Sequence, residues 1–263
     1  HRGPDHEEVK WFARHNSGLG HARLSIIDIS EDANQPMFDE LNKNWIVFNG
    51  EVFNYRNIRS ELVKKGISFN SNSDTEVVLK AFGLWGPQAL DKFNGMFAFA
   101  IFNEISGELF ISRDRLGIKP LYYYRNENKL IFASEIKSIL CSTMYIKEPD
   151  YRAIQTPVHF QETPHTGFKN IFKLPAGHSL SFSNHELKIH KYWDIIPTEI
   201  DIPFNQAFEE LDYLLNDAIK LQMISDVPIG SLLSGGLDSS LISVLMQKNM
   251  DQPLNSFTIK FKK

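Results

Sequence analysis

The stretch GSLLSGGLDSS, Gly230 to Ser240, carries the residue types that hold a phosphate. Gly235 and Gly236 let backbone N–H groups come close to an anion, Ser234, Ser239 and Ser240 add hydroxyl donors, and a following helix lends its positive end. An apolar run with Val227, Ile229, Leu232 and Leu233 enters the glycines as a strand enters a phosphate loop. The lysine of G-x-x-x-x-G-K-[ST] is absent, however, and Gly236 stands in its place. Asp238 cannot face a phosphate directly, because two anions in contact repel; a Mg2+ between them removes the conflict. An aspartate with a metal in place of a lysine favours chemistry at the α-phosphate, with magnesium pyrophosphate departing, over transfer of a γ-phosphoryl group. The plain alternative is a serine- and glycine-rich turn before an ordinary helix.

The surrounding pattern supplies the elements such a loop needs. VPIGSLL before it reads as a strand, SLISVLMQKN after it as a helix and SFTIKF as a second strand, which makes a βαβ unit. FNQAFEELDYLLNDAIKLQM, upstream, places Phe204, Phe208, Leu211, Leu215, Ala218 and Ile219 at helical spacing, an amphipathic helix. The residues before about 200 have another character. Runs rich in β-formers at Arg23–Ile29, Asn44–Gly50, Met96–Asn103, Glu108–Asp114, LYYYRN and KLIFAS predict strands, with hairpin turns at Asn103–Gly107 and Asn126–Asn128. Two helices are predicted among them: one ending at Gly66, and one opening on a Ser73-x-x-Glu76 capping box and ending at Gly83 or Gly86. Hairpins with interspersed helices indicate an α+β domain whose helices layer on antiparallel sheets.

Composition narrows the partners. The chain has 263 residues, 42% hydrophobic, with a net charge of −4 and no long basic run, so neither nucleic acid nor an anionic membrane is expected as a partner. No apolar stretch reaches the roughly 18 residues of a membrane helix. One cysteine, Cys141, excludes an internal disulfide and points to a reducing compartment, so the cytoplasm is the expected location; in SILCSTM it reads as a small buried thiol. The nine histidines form no H-E-x-x-H motif, which argues against a histidine metal site.

The loop resembles the SGGxDS pyrophosphatase loop of ATP-dependent adenylating enzymes. In the first part of the chain, HRGPD, LGHARLSIID, NQPM, FNGEVFNY, SDTEVVL, FNGMFAFAIFN, SRDRLGIKPLYY, FASEIKSIL and KLPAGHSL follow one another in order. Together these motifs resemble the class II glutamine amidotransferases of the glutamine-hydrolysing asparagine synthetase family. The resemblance implies an α+β Ntn-type amidotransferase domain over residues 1–200, with antiparallel sheets sandwiched between helix layers. It also implies the start of an α/β PP-loop ATP pyrophosphatase domain over 204–263. Glutamine would be hydrolysed to ammonia, and the ammonia led to a carboxylate activated as an adenylate, with aspartate the expected acceptor. A sugar carboxylate or another acceptor, and a glutamine- or nucleotide-sensing pseudoenzyme, stay open as alternatives, and so does a homodimer.

Site residues follow from the matched motifs. Hydrolysis of a side-chain amide needs an oxyanion hole, and FNGE ends a strand with a side-chain amide, Asn49, beside a glycine N–H, Gly50. The resemblance assigns Arg23 to the α-carboxylate of glutamine and Glu51 and Asp74 to its α-ammonium, with Asn49 and Gly50 contacting the same substrate. It assigns Leu232, Ser234, Gly235, Gly236, Leu237, Asp238, Ser239 and Ser240 to ATP, with Asp238 also meeting Mg2+. The family's nucleophile is an N-terminal cysteine, whereas this chain begins at His1, so the sequence is expected to lack the start of the protein and, as given, to lack glutaminase activity.

Overall fold

In a computed structural model, residues 2–126, 129–155 and 163–260 are described. The chain forms two units, His1–Leu24 with Ser30–Ile195, and Ser25–Ile29 with Ile196–Lys263.

The first unit runs through β1 (His6–Phe12), β2 (Ser17–Arg23), β3 (Met37–Asp39), β4 (Asn44–Val52), α1 (Tyr55–Lys64), α2 (Asp74–Trp85), β5 (Gly95–Asn103), β6 (Leu109–Arg113), β7 (Tyr122–Asn126), β8 (Lys129–Ala133), α3 (Ile136–Leu140), α4 (Tyr151–Gln155), β9 (Ile171–Lys173), β10 (His178–Ser183) and β11 (Glu186–Lys191). One antiparallel sheet has the order β11-β10-β6-β5-β4-β3; β1-β2 and β8-β7-β9 form two smaller antiparallel ladders.

Alternation along β5 shows how the layers arise. Phe97 and Phe99 turn to one side and pack with Phe93, edge to face in both cases, beneath the helices. Ala98, Ala100 and Phe102 turn to the other and form a core with Phe12 and Leu19 of the β1-β2 hairpin and Tyr123 of β7. Tyr124, one residue on from Tyr123, faces the opposite way and packs with Ile139 of α3 and Tyr145. The order is helix, sheet, sheet, helix, and the small residues of β5 let the two sheets approach. Each large side chain buried in these layers contributes about 1.5–3 kcal/mol.

α2 is fixed at both ends. Ser73 accepts a hydrogen bond from the Thr75 N–H at 3.1 Å, and Gly86 closes the helix at φ 57°. The reciprocal half of the expected capping box does not form. Glu76 instead accepts from the N–H groups of Asn70 and Ser71 and from the Ser71 hydroxyl at 2.7 Å, because the preceding loop folds under the helix start and brings those donors closer.

Two further expectations are corrected. The strand expected over Arg23–Ile29 ends at Arg23; beyond it Asp28 takes φ 52°, and its N–H and the Ile26 carbonyl bond Asp226 of the second unit in place of a ladder. Cys141 is exposed, not buried: it caps the five-residue α3, whose only buried residue is Ile139. The turn expected over Asn126–Asn128 falls partly outside the described residues, and β7 and β8 on either side pair antiparallel.

The second unit contains α5 (Phe204–Gln222), β12 (Gly230–Leu232), α6 (Leu237–Lys248) and β13 (Asn255–Phe257). β12 and β13 pair in parallel, as a βαβ crossover requires. No helix among the described residues is long and apolar enough to cross a membrane.

Candidate functional site

The edge of β4 is where the first unit exposes backbone chemistry. β3 covers that edge only as far as Ile46, so the groups of Phe48, Gly50 and Val52, which alternate away from β5, have no strand paired with them among the described residues. Side chains take the place of a strand. The Phe48 N–H donates to Gln35 Oε1 at 2.6 Å, His21 Nε2 bonds the Phe48 carbonyl at 3.1 Å, and the Val52 N–H donates to Asp74 Oδ2 at 3.0 Å. By the same alternation the Gly50 N–H faces this edge between them, and no side chain among the described residues takes it. Only glycine fits there: a Cβ on residue 50 would lie 2.1 Å from the Met96 carbonyl oxygen, at φ 152°. Next to it, the Asn49 side-chain amide donates to Ser134 Oγ at 3.3 Å, a long bond that a better acceptor would displace.

Two carboxylates border these donors. Asp74, at the first turn of α2 and 4% exposed, has its pKa pushed up to about 7; burial dominates, the Val52 N–H opposes it and the charge of Glu51 adds to it. Glu51 is also raised, by burial, against the pull of Lys119. A pair of acids that repel each other in a half-dry setting is a site that favours an incoming cation. Arg23 is buried at the end of β2, where its guanidinium donates to the Ser30 carbonyl and to Asn34 Oδ1, both at 2.8 Å. Gln35, the next residue, reaches Phe48 and also donates to Thr75 Oγ1 at 3.2 Å. Arg23, Asn49, Gly50, Glu51 and Asp74 thus stand on elements tied to one another by a short chain of bonds.

The phosphate-type loop belongs to the second unit. Gly235 takes φ 84° with open space where a Cβ would be, and Gly236 is the N-cap of α6 with no side chain capping the helix. Ser234 and Ser239 hydroxyls lie 3.0 Å apart, and those of Ser239 and Ser240 donate back to the Gly236 carbonyl at 3.2 and 2.8 Å. Leu232 and Leu237 flank the loop, both exposed. This donor set fits a phosphate chain. Asp238, in the first turn of α6, is the acid of the loop, and no cluster of three or more metal-ligating side chains exists among the described residues. One carboxylate beside phosphate-type donors is a set that could take a Mg2+ accompanying phosphates.

Four residues of the first site had no assigned role in the sequence: His21, Gln35, Lys119 and Ser134. Each lies inside a motif already marked by the resemblance. None has a residue type that signals its function, since each acts by touching a segment remote in the chain.

Residues 1–193 match the family model described as glutamine amidotransferase domain, and residues 210–263 match that described as asparagine synthase. A putative glutamine-hydrolysing asparagine synthetase 2 of Methanocaldococcus jannaschii is 38% identical over 99% of this chain and 55% of its own length. Asparagine synthetase 3 (glutamine-hydrolysing) of Bacillus subtilis is 36% identical over 99% of this chain and 43% of its own length, so the chain spans about half the length of these relatives. Among solved structures, the glutamine phosphoribosylpyrophosphate amidotransferase of B. subtilis, complexed with ADP and GMP, aligns with a TM-score of 0.52 at 15% identity. It covers 92% of this chain and 51% of that one, a likeness of fold.

Proposed function

The chain belongs to the glutamine amidotransferase family, and on that premise we propose that residues 1–200 release ammonia from glutamine while residues 204–263 begin an ATP-using domain that spends it on a carboxylate. The observation that carries the first half is the open edge of β4, with two adjacent N–H donors beside an acid pair. Arg23 binds the α-carboxylate of glutamine, and ionised Asp74 and Glu51 receive its ammonium, which leaves the side-chain amide over Asn49 and Gly50. The nucleophile adds to the amide carbon, the carbonyl electrons move onto oxygen, and the Gly50 N–H and the Asn49 amide hold that oxyanion. Collapse of the adduct expels ammonia, and water releases glutamate. The resemblance implies an N-terminal cysteine as nucleophile; exposed Cys141 at the end of α3 is not assigned this role.

In the second domain the glycines and hydroxyls of Ser234 to Ser240 would hold the phosphates of ATP, and Asp238 would hold a Mg2+, whose charge would ease the loss of pyrophosphate. An acceptor carboxylate oxygen attacks the α-phosphorus and pyrophosphate leaves; ammonia then attacks the acyl carbon and AMP leaves. Aspartate is the proposed acceptor, on the names of the relatives. The test of the glutamine half is Asn49→Ala in the full-length protein. Hydrolysis of glutamine should lose about 10²–10³ in kcat while ammonia-dependent amidation is kept; an undiminished kcat would dismiss the oxyanion assignment.

A further inference from the structure

Phe48 precedes the oxyanion pair, and both of its backbone groups are bonded by side chains from outside the strand. Gln35, 4% exposed, accepts from its N–H at 2.6 Å, and His21 bonds its carbonyl at 3.1 Å. A carbonyl only accepts, so His21 carries its proton on Nε2 and its Nδ1 is a bare acceptor; that Nδ1 is buried with no partner among the described residues. Burial, with Arg23 and His6 nearby, lowers the pKa of the ring against the opposing bond to Phe48, which keeps the ring a neutral Nε2–H donor. His21 and Arg23 are two residues apart on β2 and therefore share a face.

We propose that Gln35 and His21 are positioning residues for glutamine hydrolysis: they stand in for the missing neighbour strand of β4, hold the Phe48 peptide, and so aim the Asn49 and Gly50 donors. The inference rests on the oxyanion reading above. Ordinary strand pairing at this edge would consume the Gly50 N–H, because Phe48, Gly50 and Val52 point the same way. Discrete side chains instead bond Phe48 and Val52 on either side of Gly50, and none among the described residues takes its N–H. Gln35 spans from Phe48 to Thr75, beside Asp74, and His21 links the strand of Arg23 to the strand of Asn49. Both bonds fall on the peptide that precedes Asn49 and Gly50, so the two residues fix where the oxyanion donors stand. A displaced donor weakens the transition state more than the bound substrate, so the loss falls on kcat.

The experiment uses the full-length protein with Gln35→Met and His21→Leu, which keep bulk while the first deletes the bonds to Phe48 and Thr75 and the second the bond to the Phe48 carbonyl, beside His21→Gln and Asn49→Ala. Gln35→Met and His21→Leu should each lower kcat for glutamine hydrolysis about tenfold or more, with KM for glutamine and ammonia-dependent amidation nearly unchanged. His21→Gln, whose amide offers an N–H at similar reach, should recover most of that loss. Parent-like kcat in both deletions overturns the proposal. So does a His21→Gln protein that unfolds at the parent's temperature yet is as slow as His21→Leu. If Asn49→Ala keeps the parent's kcat, the oxyanion reading itself falls; if only Asn49→Ala is slow, the positioning role alone falls.

Discussion

Asp74→Asn separates the two demands on this carboxylate, folding and binding. Its pKa is raised from 3.8 to about 7, chiefly through burial. At about 1.4 kcal/mol per pH unit, ionising Asp74 in the folded state costs about 4 kcal/mol. The sign follows from which state holds the proton more tightly. The folded protein does, so this contribution to stability is full below pH 3.8, falls as pH rises and is gone above about 7. Asparagine still accepts from the Val52 N–H and carries no charge. The variant should therefore lose this pH slope and, at pH 8, gain up to about 4 kcal/mol, read as a higher urea midpoint. Glutamine binding should move the other way. An ammonium needs ionised Asp74, whose ionised fraction drops about tenfold from pH 8 to pH 6, so calorimetric Kd for glutamine should rise about tenfold over that range. In Asp74→Asn, Kd at pH 8 should be about tenfold to a hundredfold weaker, the loss of a bond to a charged group, and this pH dependence should be lost. A parent Kd that is flat from pH 6 to 8, or a variant that binds as tightly as the parent, would refute the reasoning.

Arg23→Ala should raise KM for glutamine far more than KM for ammonia, since only glutamine carries the carboxylate; equal effects would mark Arg23 as structural. Gly50→Ala places a Cβ 2.1 Å from the Met96 carbonyl oxygen, so thermal unfolding should show a loss of about 2 kcal/mol or more, with hydrolysis abolished. Asp238→Asn should cut pyrophosphate release and amidation severely in the full-length protein while glutamine hydrolysis continues. Ser73→Ala deletes the N-cap bond to Thr75 and should cost about 1 kcal/mol in urea denaturation.

The strongest features in the sequence were the long apolar runs and the one clear helical stripe. β4 and β5 are strongly apolar on both faces because helices cover one side and a second sheet the other, and α5 shows a single stripe. β1 and β2 escaped notice because much of their surface faces outward: β1 reads HEEVKWF and buries only Phe12. The opposite error occurred at LSIIDI, where β-prone residues form bends because their backbone groups meet Asp226 instead of a strand. At the candidate site, Asn49 and Gly50 are by residue type also a hairpin-turn signal, and they, like Arg23, Glu51 and Asp74, needed the resemblance. His21 and Gln35 had no local signal at all. Their chemistry lies in contacts made 27 and 13 residues away, set by which strand edge is left uncovered.

The transfer of nitrogen from glutamine to a carboxylate is tested most directly by isotope. Full-length protein given glutamine labelled with nitrogen-15 in its side-chain amide, together with ATP, Mg2+ and aspartate, should place the label in the side-chain amide of asparagine, with one AMP and one pyrophosphate formed per product. Asparagine without the label, or ADP and phosphate in place of AMP and pyrophosphate, would contradict it.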